Sequence, residues 1–184
     1  MYRAVIFFFS STGETQWVAE RIKKQLDARG INADIVSIDS VDKKKADWWM
    51  GTADLLVIGW PLVRGDMPEP MKAFVNQLSR RNHNKHIQLF CTTPFYSADG
   101  AYAQRRLFWD KNLNIDSTAH FLMRTNVYQT AMAEPDGAAA KQLGECGRRV
   151  DDYVAALLEG RLRIKGKHLG WLGALHRVLW RMIK

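Results

Sequence analysis

Arg3 to Phe9 is dominated by Val, Ile and Phe, with an unbroken apolar run from Ala4, which predicts a strand covered on both faces, as in a parallel sheet. From Glu14 the pattern changes period. Trp17, Val18, Ile22 and Leu26 recur at helical spacing, and Arg29-Gly30 supplies a basic last turn and a glycine stop. Further apolar runs predict strands over Ala33 to Ile38, Leu55 to Gly59, Ile87 to Cys91 and Thr118 to Met123. Helical patterns lie between or after them at Met71 to Leu78, Ala101 to Trp109 and Ala138 to Leu158, the last with Val150, Tyr153, Val154, Leu157 and Leu158 as its buried positions. Strands alternating with helices imply parallel βαβ units joined by right-handed crossovers, and so a doubly wound α/β sandwich of three layers.

Five strands suit the order 2-1-3-4-5, in which a ligand binds beyond the carboxyl ends of the strands where the winding reverses, between β1 and β3. The candidate loops are then residues 10 to 15, 60 to 67 and 92 to 99. The first, Ser10-Ser11-Thr12-Gly13-Glu14-Thr15, joins a buried strand directly to an amphipathic helix. Hydroxyls and backbone N–H groups at a helix N-terminus surround a phosphate well, and the helix dipole favours its charge. Gly13 allows close backbone approach. The loop has no lysine and no G-x-x-x-x-G-K-[ST] pattern, which argues against a nucleotide hydrolase. Neutral donors suit a phosphate that is held and not transferred, although Ser and Thr at a helix start also serve as plain caps.

The segment resembles the phosphate signature of the flavodoxin-like family, a strand followed by S/T-x-T-G-x-T, matched by Ser10, Thr12, Gly13 and Thr15, with Glu14 where Asn is frequent. The resemblance implies a flavodoxin-like three-layer sandwich, bound FMN and a role in electron transfer. A receiver domain would instead need an acidic residue at the end of β1, and Phe9-Ser10 offers none. In the second loop, Ile58-Gly59-Trp60-Pro61-Leu62-Val63-Arg64-Gly65 resembles the flavin loop of flavodoxins. The run through Pro68-Glu69-Pro70-Met71 and Phe74 is similar to the flavodoxin half of the flavodoxin-ferredoxin fusion proteins of anaerobes. The third loop, through Thr92, Thr93, Pro94, Phe95 and Tyr96, fits the same group, as does Arg124 to Tyr128. On this resemblance Trp60, Phe95 or Tyr96 would stack on the ring, Pro61, Leu62 and Gly65 would flank it, and Thr92 and Thr93 would hydrogen-bond ring or ribityl oxygens. Arg64 is atypical, because acidic residues usually surround the flavin; a cation there would raise the potential.

Composition changes this picture in two places. The only cysteines, Cys91 and Cys146, have no CxxC spacing and are too few for the four-ligand clusters of a ferredoxin half, so electrons are expected to pass to a redox partner protein or a small-molecule acceptor. The net charge of +8 is concentrated. Seven basic residues and no acid lie between Gly160 and Lys184, leaving 20 basic against 19 acidic residues before them. The expected organisation is a domain over residues 1–160 and a basic tail over 161–184. Within the tail, Leu172, Leu175, Leu179 and Met182 share one helical face with Trp171 and Trp180 nearby, a pattern that fits an anionic membrane surface as well as packing on the protein's own domain or on another subunit. No nucleic-acid reading motif is present, and no signal peptide or membrane span; the expected location is the cytoplasm, including the inner face of its membrane.

Two functions follow as expectations. The first is an FMN-binding electron carrier. The alternative is a membrane-associated, FMN-dependent oxidoreductase similar to the flavodoxin-type protoporphyrinogen oxidases, which resemble this chain in length, basicity and second loop. His83, His86, His120, His168 and His176 show no ligand spacing, so no metal is expected. Asp99, Asp110 and Asp116 read as caps and solvated loop charges.

Overall fold

A computed structural model describes residues 2–80, 84–94, 97–123, 138–174 and 178. Its strands are β1 (Arg3–Phe8), β2 (Asn32–Ser37), β3 (Leu55–Pro61), β4 (Lys85–Thr93) and β5 (Leu113–Leu122). All pair in parallel in the order β2-β1-β3-β4-β5, as the alternation of strands and helices predicts. Helices α1 (Glu14–Asp27), α2 (Lys43–Thr52), α3 (Glu69–Gln77), α4 (Arg105–Trp109) and α5 (Ala138–Leu158) complete three layers.

Period-2 alternation along the central strands separates two cores. Val5, Phe7, Leu56, Ile58, Trp60 and Leu89 face α2, α3 and α4, whereas Ala4, Ile6, Phe8, Val57 and Phe90 face α1 and α5 through Val18, Ile22, Val150 and Val154. One glycine is dictated by this packing. Gly59 lies beside Phe90 across β3 and β4, and a Cβ there would sit 1.9 Å from the ring.

Three elements differ from the sequence reading. Helix α2 was not expected: only Ala46 and Met50 are buried along it, too faint a stripe to stand out, although Asp42 caps it by accepting from the Lys45 N–H at 2.8 Å. The predicted helix from Ala101 to Trp109 is divided into a 3-10 turn (Gly100–Gln104) and α4. Strand β5 starts five residues early, at Leu113, because a bulge at Asp116 interrupts its pattern; Gln88 pairs with Ser117, while Asp116 takes hydrogen bonds from Gln88 Nε2 at 3.2 Å and lies 2.7 Å from His86 Nδ1. In α5, Val150 and Val154 are buried as expected, while Leu158 is exposed.

After α5 the chain turns back onto the domain. Thr118 donates its N–H to Arg163 O at 3.0 Å and its hydroxyl to Lys165 O at 2.7 Å, and Ile164 bridges Thr118 in parallel. Residues 170–174 are helical, with Trp171 exposed. The rest of the predicted tail helix, apart from Val178, lies outside the described residues, as do Arg124 to Tyr128. Among the described residues no helix is long and apolar enough to cross a membrane.

Candidate functional site

The three predicted loops meet at the carboxyl ends of β1, β3 and β4. At the first, Phe9 N–H bonds Gly59 O at 3.1 Å as β1 ends, and α1 begins at Glu14 with Gly13 as its N-cap. Gly13 has φ +97, the left-handed region where a side chain is strained. A Cβ at Gly13 would meet nothing within 4 Å, so in the structure backbone conformation, and not close packing, calls for glycine. Among the described residues no side chain caps the helix, which leaves its positive end facing out of the loop. Ser10 Oγ accepts from the Gly13 N–H at 3.1 Å, and the Thr12 hydroxyl donates to the Glu14 carboxylate. Ser11, Thr12 and Gly13 are exposed, and the Gly13 N–H and the Thr12 hydroxyl would have to exchange these internal partners to reach a ligand.

Thr15 does something the sequence does not reveal. Its side chain is buried and lies 2.8 Å from the Thr92 hydroxyl, which ties the phosphate loop to the end of β4. The second loop is fastened to the same strand, since Leu62 N–H donates to Thr92 O at 2.8 Å. Thr92 therefore acts as the junction of all three loops, with its hydroxyl and its carbonyl already engaged. Thr93 is buried too, and its carbonyl accepts from Met123 N–H at 2.8 Å.

In the second loop, Pro61 and Leu62 are half-buried, while Val63 and Arg64 are exposed. Arg64 (φ 52) and Gly65 (φ 76) form the centre of a tight turn closed by mutual backbone bonds between Val63 and Asp66 at 2.9 and 3.0 Å. Two successive positive φ values are those of a type I′ turn, so Arg64 holds its position at some conformational cost. Asp66 anchors the turn from below: it accepts from Met67 N–H at 2.8 Å and Lys72 Nζ at 3.1 Å, and from Gln104 Nε2.

Trp60 requires a correction. Its ring belongs to β3 and the core, fully buried and stacked on Phe108 with centroids 5.9 Å apart, so it is not available to stack on a flavin. Period 2 is the cause: Gly59 faces the α1 side, and the next residue must face the other. Phe95 and Tyr96 lie outside the described residues; Pro94 is half-buried beside them.

Asp99 is likewise not a solvated charge. It is 2% exposed at the start of the 3-10 turn. His120, on β5, is 5% exposed; its Nδ1 is 2.7 Å from Ser97 Oγ, and a Cβ at Gly100 would strike its ring at 2.3 Å. Burial, aided by the Lys165 charge, pushes the His120 pKa down to about 4, so the ring is neutral at pH 7. Burial raises the Cys91 thiol to about 12, which keeps it protonated and unreactive. Asp66, Asp99 and His120 were thus missed as organisers of the loops; the signal for the two aspartates is a polar residue beside a turn, and for His120 a single polar residue within an apolar strand. Among the described residues no group of three or more His, Cys, Asp or Glu is placed to hold a metal.

The flavodoxin family profile matches residues 6–104, which span all three loops and the phosphate signature. The chain belongs to the flavodoxin family. Among curated proteins no sequence matches it. Among solved structures, this flavodoxin-family chain is similar to oxidised flavodoxin 2 of Bacillus cereus (TM-score 0.62, 13% identity, 85% of this chain and 98% of that one). A flavodoxin of Streptococcus pneumoniae TIGR4 gives 0.59, with 19% identity over 85% and 98% of the two chains. The apo form of an NADH:FMN oxidoreductase gives 0.60, with 17% identity over 85% and 90%. Identities this low speak for the fold alone. The cofactor of the family is FMN, and the uncapped start of α1 behind a hydroxyl-bearing loop is chemically suited to its phosphate.

Proposed function

We propose that this flavodoxin-family chain is an FMN-dependent electron carrier that exchanges electrons with a separate redox partner protein or a small-molecule acceptor. The observation that carries the reading is the convergence of the loops on Thr92, which draws the uncapped end of α1 and the turn at Arg64 to one edge of the sheet. Residues 10–15 would hold the phosphate through the Ser10, Ser11 and Thr12 hydroxyls and backbone N–H groups, with Gly13 supplying the turn. Pro61, Leu62 and Gly65 on one side, and Thr92, Thr93, Pro94, Phe95 and Tyr96 on the other, would enclose the ring and limit its contact with water. FMN supplies reversible one- and two-electron chemistry when bound.

No described residue near these loops is placed as a substrate acid or base, which favours a carrier whose specificity lies in its partner. Val63 and Arg64 offer an apolar and a cationic group at the tip of the exposed turn, and that cation would raise the potential of the bound flavin. Both cysteines of this chain are buried and free, so they offer no cluster to relay electrons as the ferredoxin half of a fusion protein would. The membrane-associated oxidoreductase alternative draws no support from the described contacts of the tail, in which residues 163–166 and 173 touch β5 and Asp99 while Trp171 stays exposed. The test is reconstitution of the purified protein with FMN, followed by fluorescence titration and a reductive titration with a reduced ferredoxin. Micromolar or tighter FMN binding and electron uptake are expected. Failure to bind FMN overturns the reading, and rapid turnover of protoporphyrinogen would replace the carrier by the enzyme.

A further inference from the structure

The segment that follows α5 reaches the back of the third loop and meets it closely. A Cβ at Gly166 would sit 2.5 Å from Asp99 O, and one at Gly173 would sit 1.9 Å from Asp99 Oδ1. Asp99 is therefore gripped by two glycines of the segment, its backbone by one and its carboxylate by the other. The segment is itself moored to β5, through the Thr118 bonds to Arg163 O and Lys165 O. From the inner side, β5 holds the same loop through His120, against Ser97 and Gly100, and through Met123, against Thr93. Residues 97–100 of the third loop are thus held between β5 and the segment, while residues 92–94 are tied to the end of β5 through Met123.

We propose that residues 163–173 are a positioning segment for the flavin site, setting the third loop through Asp99 so that it meets the ring and not the phosphate. This rests on the FMN reading above. Asp99 is a positioning residue on this account. It touches the segment and shapes the loop, and the loop meets the flavin.

Full-length protein separates this role from general stability. Gly173→Ala places a methyl against the Asp99 carboxylate, whereas Gly170→Ala, in the same helical turn, meets nothing within 4 Å. Affinities for FMN and for riboflavin are measured by fluorescence quenching, and amide hydrogen exchange at residues 97–104 is followed in the flavin-free protein. Gly173→Ala is expected to weaken both flavins by the same factor, about tenfold, and to speed exchange at residues 97–104; Gly170→Ala is expected to stay within about twofold of wild type. Thr118→Val, which loses the bond to Lys165 O without adding bulk, is expected to weaken both flavins about threefold and covers the case in which Gly173→Ala does not fold. Equal behaviour of Gly173→Ala and Gly170→Ala, or wild-type flavin binding in Thr118→Val, overturns the proposal while leaving the FMN reading intact. A loss confined to FMN also overturns it, since that places the effect at the phosphate. A wild-type protein that binds neither flavin sinks both readings.

Discussion

The proposed phosphate end of the site comes from six consecutive residues where one strand passes into one helix, whereas the proposed ring end is assembled from the β3 turn, the end of β4, a histidine on β5 and a segment more than sixty residues beyond the third loop. The first has Gly13 and the start of α1 as its local frame, and a side-chain pair, Thr15 with Thr92, ties it to the rest of the sheet. The second is held by contacts of long sequence separation, and each tie can be loosened separately. The lesson is that the two halves of one cofactor site can differ in what disturbs them: the phosphate end through the chemistry of its own residues, the ring end through distant packing and pH.

The largest expected effect lies at the ring end. His120 is neutral in the fold down to about pH 4, while in the unfolded chain it takes up a proton near pH 6.5. Between these values the unfolded state binds more protons, so this contribution is complete above about pH 7, declines as pH falls through 6.5 and is lost by about pH 4. It amounts to about 3 kcal/mol. Urea melts across that range, set against His120→Gln, should show the variant with a flatter profile; parallel profiles would mean that burial of His120 does not govern this end. The next effect isolates the phosphate end. Thr12→Ala removes one hydroxyl donor and should raise the Kd for FMN about tenfold while leaving riboflavin unchanged; equal losses for both would merge the two ends. The smallest change concerns Trp60. Trp60→Phe removes volume from the core but also a buried indole N–H that has no partner among the described residues, so the two effects oppose each other. A stability loss of about 1 kcal/mol is expected in a thermal melt, with no change in flavin affinity; a marked drop in affinity would return Trp60 to the site.

The fold was legible because parallel strands are written as apolar runs, and the phosphate loop because its donors are adjacent in sequence. Trp60 was misread for a reason of parity: a residue at the last paired position of a strand looks like loop from its neighbours Pro61 and Leu62, yet its side chain belongs to whichever face the pleat assigns. Asp99 and His120 were illegible for a different reason. An aspartate beside glycine reads as a surface turn unless the segment that buries it is known, and nothing near Asp99 in sequence announces Gly166 or Gly173. Thr15 lies in the first turn of α1, and its bond to Thr92 spans 77 residues and has no local signature.

The bridge between Ile164 and Thr118 also bears on solubility. Strand β5 is an outer strand of the sheet, and a row of open N–H and C=O groups along such an edge is a template on which a second chain can add its own strand. Here the Thr118 N–H and hydroxyl are taken by the protein's own residues 163 and 165, and the covering segment carries Arg163 and Lys165. A second copy approaching that edge would find its template partly filled and two like charges in the way, which makes the segment a guard against edge-to-edge aggregation.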